Sequence, residues 1–222
     1  HAQGAADWDI SPEVLAFIKA HVKPGMKTIE TGAGRSTLAF VAAGAEHTAI
    51  TPSASEIAAI TAAAHAEGMN PFTATMIEGF SQDVLPGLSG ELDFALIDGG
   101  HGFPIPTIDW TYIVPRLKVG GIVMIDDVDL WTGKMLIDFM EREAGFEHVA
   151  TLRGRTAAFR LTERFAFHEW TKQPFVVEQS RWTQRARKAK NVLGMLARFD
   201  LATLKAKFAN EKRLAQAAKD DY

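Results

Sequence analysis

Asp98, His101, Asp126 and Asp127 are the residues whose types and spacing best suit a reaction. The acids stand directly after two short apolar runs, so three carboxylates would meet at neighbouring strand ends. Such a set suits a hard divalent cation, Mg2+ or a relative. His101 is a candidate general base, because an imidazole titrates near neutrality. A second stretch, Glu30-Thr31-Gly32-Ala33-Gly34-Arg35-Ser36-Thr37, has small residues that let a ligand approach the backbone. The helix after it would present free N–H groups. Thr37 stands where a dinucleotide-binding pattern needs its third glycine, and the expected ribose-binding acid after the second strand is missing. Both argue against NAD and for a ligand without pyrophosphate. There is no cysteine, which excludes disulfides, zinc ribbons and thiol nucleophiles. Any metal would be held by oxygen or by His101.

The elements that must position these residues alternate. Ser11-Pro12-Glu13 predicts a helix start: a hydroxyl cap, a proline in the first turn and an acid near the positive end of the dipole. That helix covers 11–22. Strands are predicted at 27–30, 47–51, 73–77, 93–97 and 122–125. Helices are predicted at 37–43, 55–66 and 106–117, the last ended by Pro115, and at 135–144. A short helix or turn falls at 83–88, and two final strands at 149–153 and 156–161 pair through Gly154. This order predicts an α/β fold: a doubly wound, Rossmann-like, mostly parallel seven-stranded sheet with an antiparallel edge. In such sheets ligands sit beyond the carboxyl ends of the strands. Those ends are Glu30 to Ser36, Thr51-Pro52-Ser53, Glu78-Gly79-Phe80-Ser81, Asp98 to Gly102, and Asp126 to Asp129. All five are polar or glycine-rich.

Between about residues 25 and 161 the sequence resembles the class I S-adenosylmethionine-dependent methyltransferases. The resemblance rests on Ile29-Glu30-Thr31-Gly32-Ala33-Gly34, on Ile97-Asp98-Gly99-Gly100-His101, and on Leu117 to Asp127 with its Gly120-Gly121 and Asp126-Asp127 pairs. The last two are similar to segments of small-molecule, macrolide and sugar O-methyltransferases. The resemblance implies S-adenosylmethionine as cofactor, with Glu30, Gly32 and Gly34 facing its methionine part. It places Glu78, Gly79 and Ser81 near the adenine, Asp98 at the reaction centre, and Thr51 where the family usually has a ribose-binding acid. Asp126 to Gly133 also resembles a segment of the metal-dependent O-methyltransferases. That implies Asp98, Asp126 and Asp127 as metal ligands and an acceptor hydroxyl acidified by the metal. The implied reaction is methyl transfer to a small-molecule hydroxyl. A non-catalytic Rossmann-like module, whose tail recruits a partner or RNA, is the alternative.

Charge divides the 222-residue chain. The net charge is −3, yet residues 1–180 hold 13 basic and 23 acidic residues, and residues 181–222 hold 11 and 4. An acidic body, 1–165, therefore precedes a basic extension, 166–222, with Arg181 to Tyr222 read as one or two helices. Arg181, Arg185, Arg187, Lys188 and Lys190 ahead of Val192, Leu193, Leu196 and Phe199 form a basic amphipathic pattern. It suits a membrane surface or nucleic acid, but packing on the acidic body or on a second subunit is the expectation preferred here. The start at His1 lacks the features of an intact signal peptide, and no apolar run is long enough to span a membrane. With the lack of cysteine this points to the cytoplasm. Candidate acceptor surfaces are the segment around Trp8, the Gly102 to Thr107 loop and the tail.

Overall fold

Ser11 caps the first helix as its type predicts. Its hydroxyl accepts from the Val14 amide at 3.3 Å, and α1 runs Pro12–His21 with Pro12 and Glu13 in its first turn. The computed structural model describes residues 10–197 and residues 206, 209 and 210. The expectations for the segment around Trp8 and for the tail's helices past Ala197 lie outside the described residues. Beyond α1 the order is β1 (Lys27–Thr31), α2 (Arg35–Ala42), β2 (Glu46–Thr51), α3 (Ala54–Ala66), β3 (Thr75–Glu78) and α4 (Ser81–Val84). Then come β4 (Leu92–Ile97), α5 (Ile105–Ile113), β5 (Leu117–Ile125), α6 (Trp131–Met140), β6 (Phe146–Leu152) and β7 (Thr156–Leu161).

The seven strands form one sheet in the order β3-β2-β1-β4-β5-β7-β6. The β1, β2, β3, β4 and β5 pairings are parallel, and β7 runs antiparallel to both β5 and β6. Alternation along the central strands explains this. On β4, Ala95 and Ile97 join a cluster with Trp110, Ile113 and Leu136, whereas Phe94 and Leu96 join one with Val14, Ile18 and Phe40. Both faces are thus apolar and each is covered by helices, as a central parallel strand requires.

Several boundaries differ from expectation for physical reasons. The helix expected to reach Leu117 stops at Ile113 and tightens into a 3-10 turn at Val114–Arg116, because Pro115 cannot continue the ladder. The strand expected from Ile122 begins at Leu117. It carries an irregularity opposite Leu92/Phe94 and a left-handed Gly120 at φ +87°, so the glycine pair bends the strand rather than preceding it. The helix expected at 135–144 begins at Trp131. Its internal Gly133 is required, since a Cβ there would lie 2.7 Å from the Asp127 carbonyl oxygen.

The chain divides into two compact units between Phe167 and His168. The second unit contains a 3-10 turn, Trp170–Lys172, and α7, Pro174–Ala197. No residue of α7 from Pro174 to Gly194 is buried. No helix among the described residues is long and apolar enough to cross a membrane.

Asp93 ties the amino ends of three adjacent strands. Its carboxylate accepts from the Lys27 amide at 2.9 Å and from the Lys118 ammonium at 2.6 Å. Partial burial acts to raise its carboxyl, but these two partners outweigh it and hold it below the ordinary 3.8. A lowered folded value stabilises above the unfolded value, and the gain is lost as pH falls through the folded one. Asp93→Ala should therefore cost about 1 kcal/mol near neutral pH. Thermal melts of the two proteins should converge under strongly acidic conditions.

Candidate active site

The strand order reverses between β1 and β4, which are hydrogen-bonded neighbours although β2 and β3 intervene in sequence. Loops leaving such a pair face each other across a crevice. Here they nearly touch. Gly32 has φ +83°, and a Cβ on it would lie 2.3 Å from the Asp98 carbonyl oxygen. Backbone bonds fix the loop roots: Gly32 N to Ile50 O at 2.9 Å, and Asp98 N to Thr31 O and Asp126 N to Ile97 O, both at 3.0 Å. Gly32, Asp98 and Asp126 are therefore brought to one rim, as their sequence positions implied.

Glu30 goes elsewhere. It is 1% exposed, and its Oε1 accepts from the Thr37 hydroxyl and faces His47 Nε2 at 3.1 Å. His47 Nδ1 lies 2.7 Å from Thr28 Oγ1, and its ring stacks on Phe40 at 4.4 Å. Thr37 Oγ1 in turn accepts from the Gly34 amide at 3.0 Å. The residue that replaces the third glycine thus links the glycine loop to a buried acid–imidazole pair. The partnership could be read only by pairing β1 with β2, where Thr28 and His47 share a register position.

A carboxylate does serve the end of β2, contrary to expectation. Thr51, 2% exposed, donates to Glu56 Oε2 at 2.7 Å, and Glu56 lies in the first turn of α3. The Ser53-to-Glu56 spacing is that of a capping box, and Ser53 Oγ does accept from the Glu56 amide at 3.2 Å. The Glu56 carboxylate is held by Thr51. At the next end, the Gly79 amide donates to Thr51 O at 3.0 Å, Glu78 closes β3, and Phe80 stands 59% exposed. Ser81 is buried at the start of α4 and faces Asp109, a fully buried acid of α5 that sequence patterns did not single out. Burial raises the Asp109 carboxyl, and the Ser81 and Thr31 hydroxyls offset part of the rise.

The acid trio has neighbours of its own. Asp127, in the left-handed region at φ +51°, pairs with Arg155 through Oδ1 and with His101 Nε2 at 3.0 Å through Oδ2. Asp126 Oδ1 accepts from the Thr156 hydroxyl. The Asp98 carboxyl is pushed well above its usual range, first by loss of hydration, then by the charges of Asp126, Glu30 and Asp127, and by a hydrogen bond with Asp126. Among the described residues no group of three or more His, Asp or Glu side chains could hold a metal ion. Of the acids expected to bind Mg2+, Asp127 meets a guanidinium and an imidazole and Asp126 meets a hydroxyl.

His101 has two contacts. Asp127 Oδ2 lies 3.0 Å from its Nε2, and Thr132 Oγ1 donates to its carbonyl oxygen at 2.8 Å. Beside it stand two exposed rings, Phe103 (67%) and Trp131 (65%), with centroids 6.0 Å apart.

Residues 29–128, which include the glycine loop, the crevice and the acid trio, match a protein family described as a methyltransferase domain. This segment is a methyltransferase domain. Solved methyltransferases share its fold. TomG from Streptomyces achromogenes, an O-methyltransferase of tomaymycin synthesis in complex with SAM, is 14% identical with a TM-score of 0.59. The match covers 71% of this chain and 83% of that one. Cofactor-bound Rv0187 from MTB is 14% identical with a TM-score of 0.60, over 71% and 84%. An rRNA methylase from Streptococcus thermophilus is 14% identical with a TM-score of 0.52, over 71% and 100%. No curated protein matches the chain by sequence.

The Glu30–His47 pair supplies a stability test of the methyltransferase domain. His47→Ala leaves a buried carboxylate without its imidazole and should cost about 3 kcal/mol in denaturant unfolding. Adding Glu30→Gln, which removes the charge but keeps an acceptor for Thr37, should recover part of that loss. A double variant as unstable as the sum of the singles would show that the pair is uncoupled.

Proposed function

We propose that the chain methylates a hydroxyl of a small molecule, with His101 as general base and without a metal. The observation that carries this is the His101–Asp127 contact at 3.0 Å. A carboxylate facing Nε2 favours the tautomer with its proton there, which leaves Nδ1 as the proton acceptor. Asp127 is itself neutralised by Arg155, so it orients the imidazole rather than competing for the proton. Bound S-adenosylmethionine would supply an electrophilic methyl on a sulfonium. His101 would take the hydroxyl proton as the acceptor oxygen receives that methyl. The role of the protein is to hold donor and acceptor in line.

The side chains at the strand ends fit this cofactor. Glu56, steadied by Thr51, suits the ribose diol, and exposed Phe80 offers a face to the adenine. Gly32 and Gly34 shape the loop for the methionine part, with Glu30 acting from beneath through Thr37. The Asp126 side chain favours a cationic ligand over an anionic one. The acceptor side carries two exposed rings together with Asp126 and exposed Asp129. Such a rim suits a compact acceptor and repels a phosphate backbone, which favours a small molecule over RNA.

Calorimetry with S-adenosylhomocysteine should show binding that EDTA leaves unchanged. Glu56→Ala should weaken it about tenfold, the loss expected for a charged hydrogen-bonding group. Labelled methyl transfer should then be measured against hydroxylated small molecules. On an accepted substrate, His101→Ala should lower turnover by about a hundredfold to ten-thousandfold while homocysteine-analogue binding holds. Activity abolished by EDTA and restored by Mg2+ would sink the metal-free mechanism. Binding without transfer to any acceptor would favour the non-catalytic module.

A further inference from the structure

We infer that α7 is an interfacial helix that docks on an anionic phospholipid surface. Trp182, Ala186, Ala189 and Leu193 recur at i, i+4, i+7 and i+11. With about 100° of turn per residue they form one apolar stripe. The stripe is open: Trp182 is 76% and Leu193 66% exposed. An exposed helix of this kind gains little from its own hydrogen bonds, so the stripe is a surface for something else.

The charge around the stripe selects the occupant. Arg181, Arg185, Arg187, Lys188 and Lys190 lie at the sides and back of the helix, and Glu178 is the one acid within α7. The Arg185 guanidinium lies 5.5 Å from the centre of the Trp182 ring, at the margin of the stripe. A second copy of the helix laid on the stripe would bring like charges together, which disfavours self-pairing. A nucleic acid would satisfy the cations but leave Leu193 and the two alanines without an apolar partner. An anionic bilayer satisfies both, since headgroups meet the cations while Trp182 and Leu193 enter the headgroup–acyl boundary. This replaces the packing expected from the sequence with docking on a lipid surface.

The test is flotation of the full chain with phosphatidylcholine vesicles, with and without phosphatidylglycerol. Binding is expected only when phosphatidylglycerol is present, and should weaken as salt rises past about 0.15 M. Trp182→Ala with Leu193→Ala should reduce it about tenfold or more, as should Arg185→Glu with Arg187→Glu. Trp182→Phe should retain it. S-adenosylhomocysteine binding, read in parallel, should be unchanged in all variants, because α7 lies outside the methyltransferase domain. No binding to phosphatidylglycerol vesicles at low salt overturns the inference. So does binding indifferent to the Trp182/Leu193 change, capture by single-stranded RNA but not by vesicles, or a dimer that those two changes dissolve while vesicles stay unbound.

Discussion

The Asp98 carbonyl oxygen lies 2.3 Å from the point where a Cβ on Gly32 would stand. This close approach joins the loop after β1 to the loop after β4, and the rest of the site is arranged around it. It needs a left-handed residue without a side chain at position 32, two adjacent parallel strands, and a strand order that reverses between them. Given that junction, the end of β5 lies one strand over, and Asp126 and Asp127 come up beside Asp98. The apolar faces of β4 and β5 supply the stability; the glycine decides where their ends meet.

Acids dominate the carboxyl ends of the strands, and the fold handles each in its own way. Glu30 is sunk beneath the glycine loop with a hydroxyl and an imidazole. Glu56 is steadied by Thr51. Asp127 is shared between a guanidinium and an imidazole. Asp98, crowded by carboxylates and poor in water, is driven toward its protonated form. A set of acids that looks alike in sequence therefore differs in partners and in tendency to ionise, because ionisation depends on surroundings more than on residue type.

Much of this was legible in the sequence where local rules dominate. Ser11-Pro12-Glu13 reads as a cap because the cap is local, and the doubly apolar central strands read as parallel because both faces are buried. In the site, the legible residues were those immediately after a strand: Gly32, Asp98, Asp126 and Asp127 all reach the rim. Partnerships across the sheet were not legible. His47 looks like an ordinary strand residue until β1 and β2 are paired in register. Glu56 hid as a helix-start acid, five residues past the end of its strand. The partners of two expected metal ligands were hidden for the same reason, since Arg155 and Thr156, which contact Asp127 and Asp126, come from a hairpin nearly thirty residues downstream.

Thr132 reaches from the first turn of α6 to the carbonyl of His101, while Asp127 holds the same residue by its ring. Two loops from different strands thereby meet at one residue, through contacts that form with the native structure itself. The rotational freedom of that ring is surrendered when the chain folds. Under the proposed function, an arriving hydroxyl would meet a group already placed, so less entropy of alignment would be lost in the encounter.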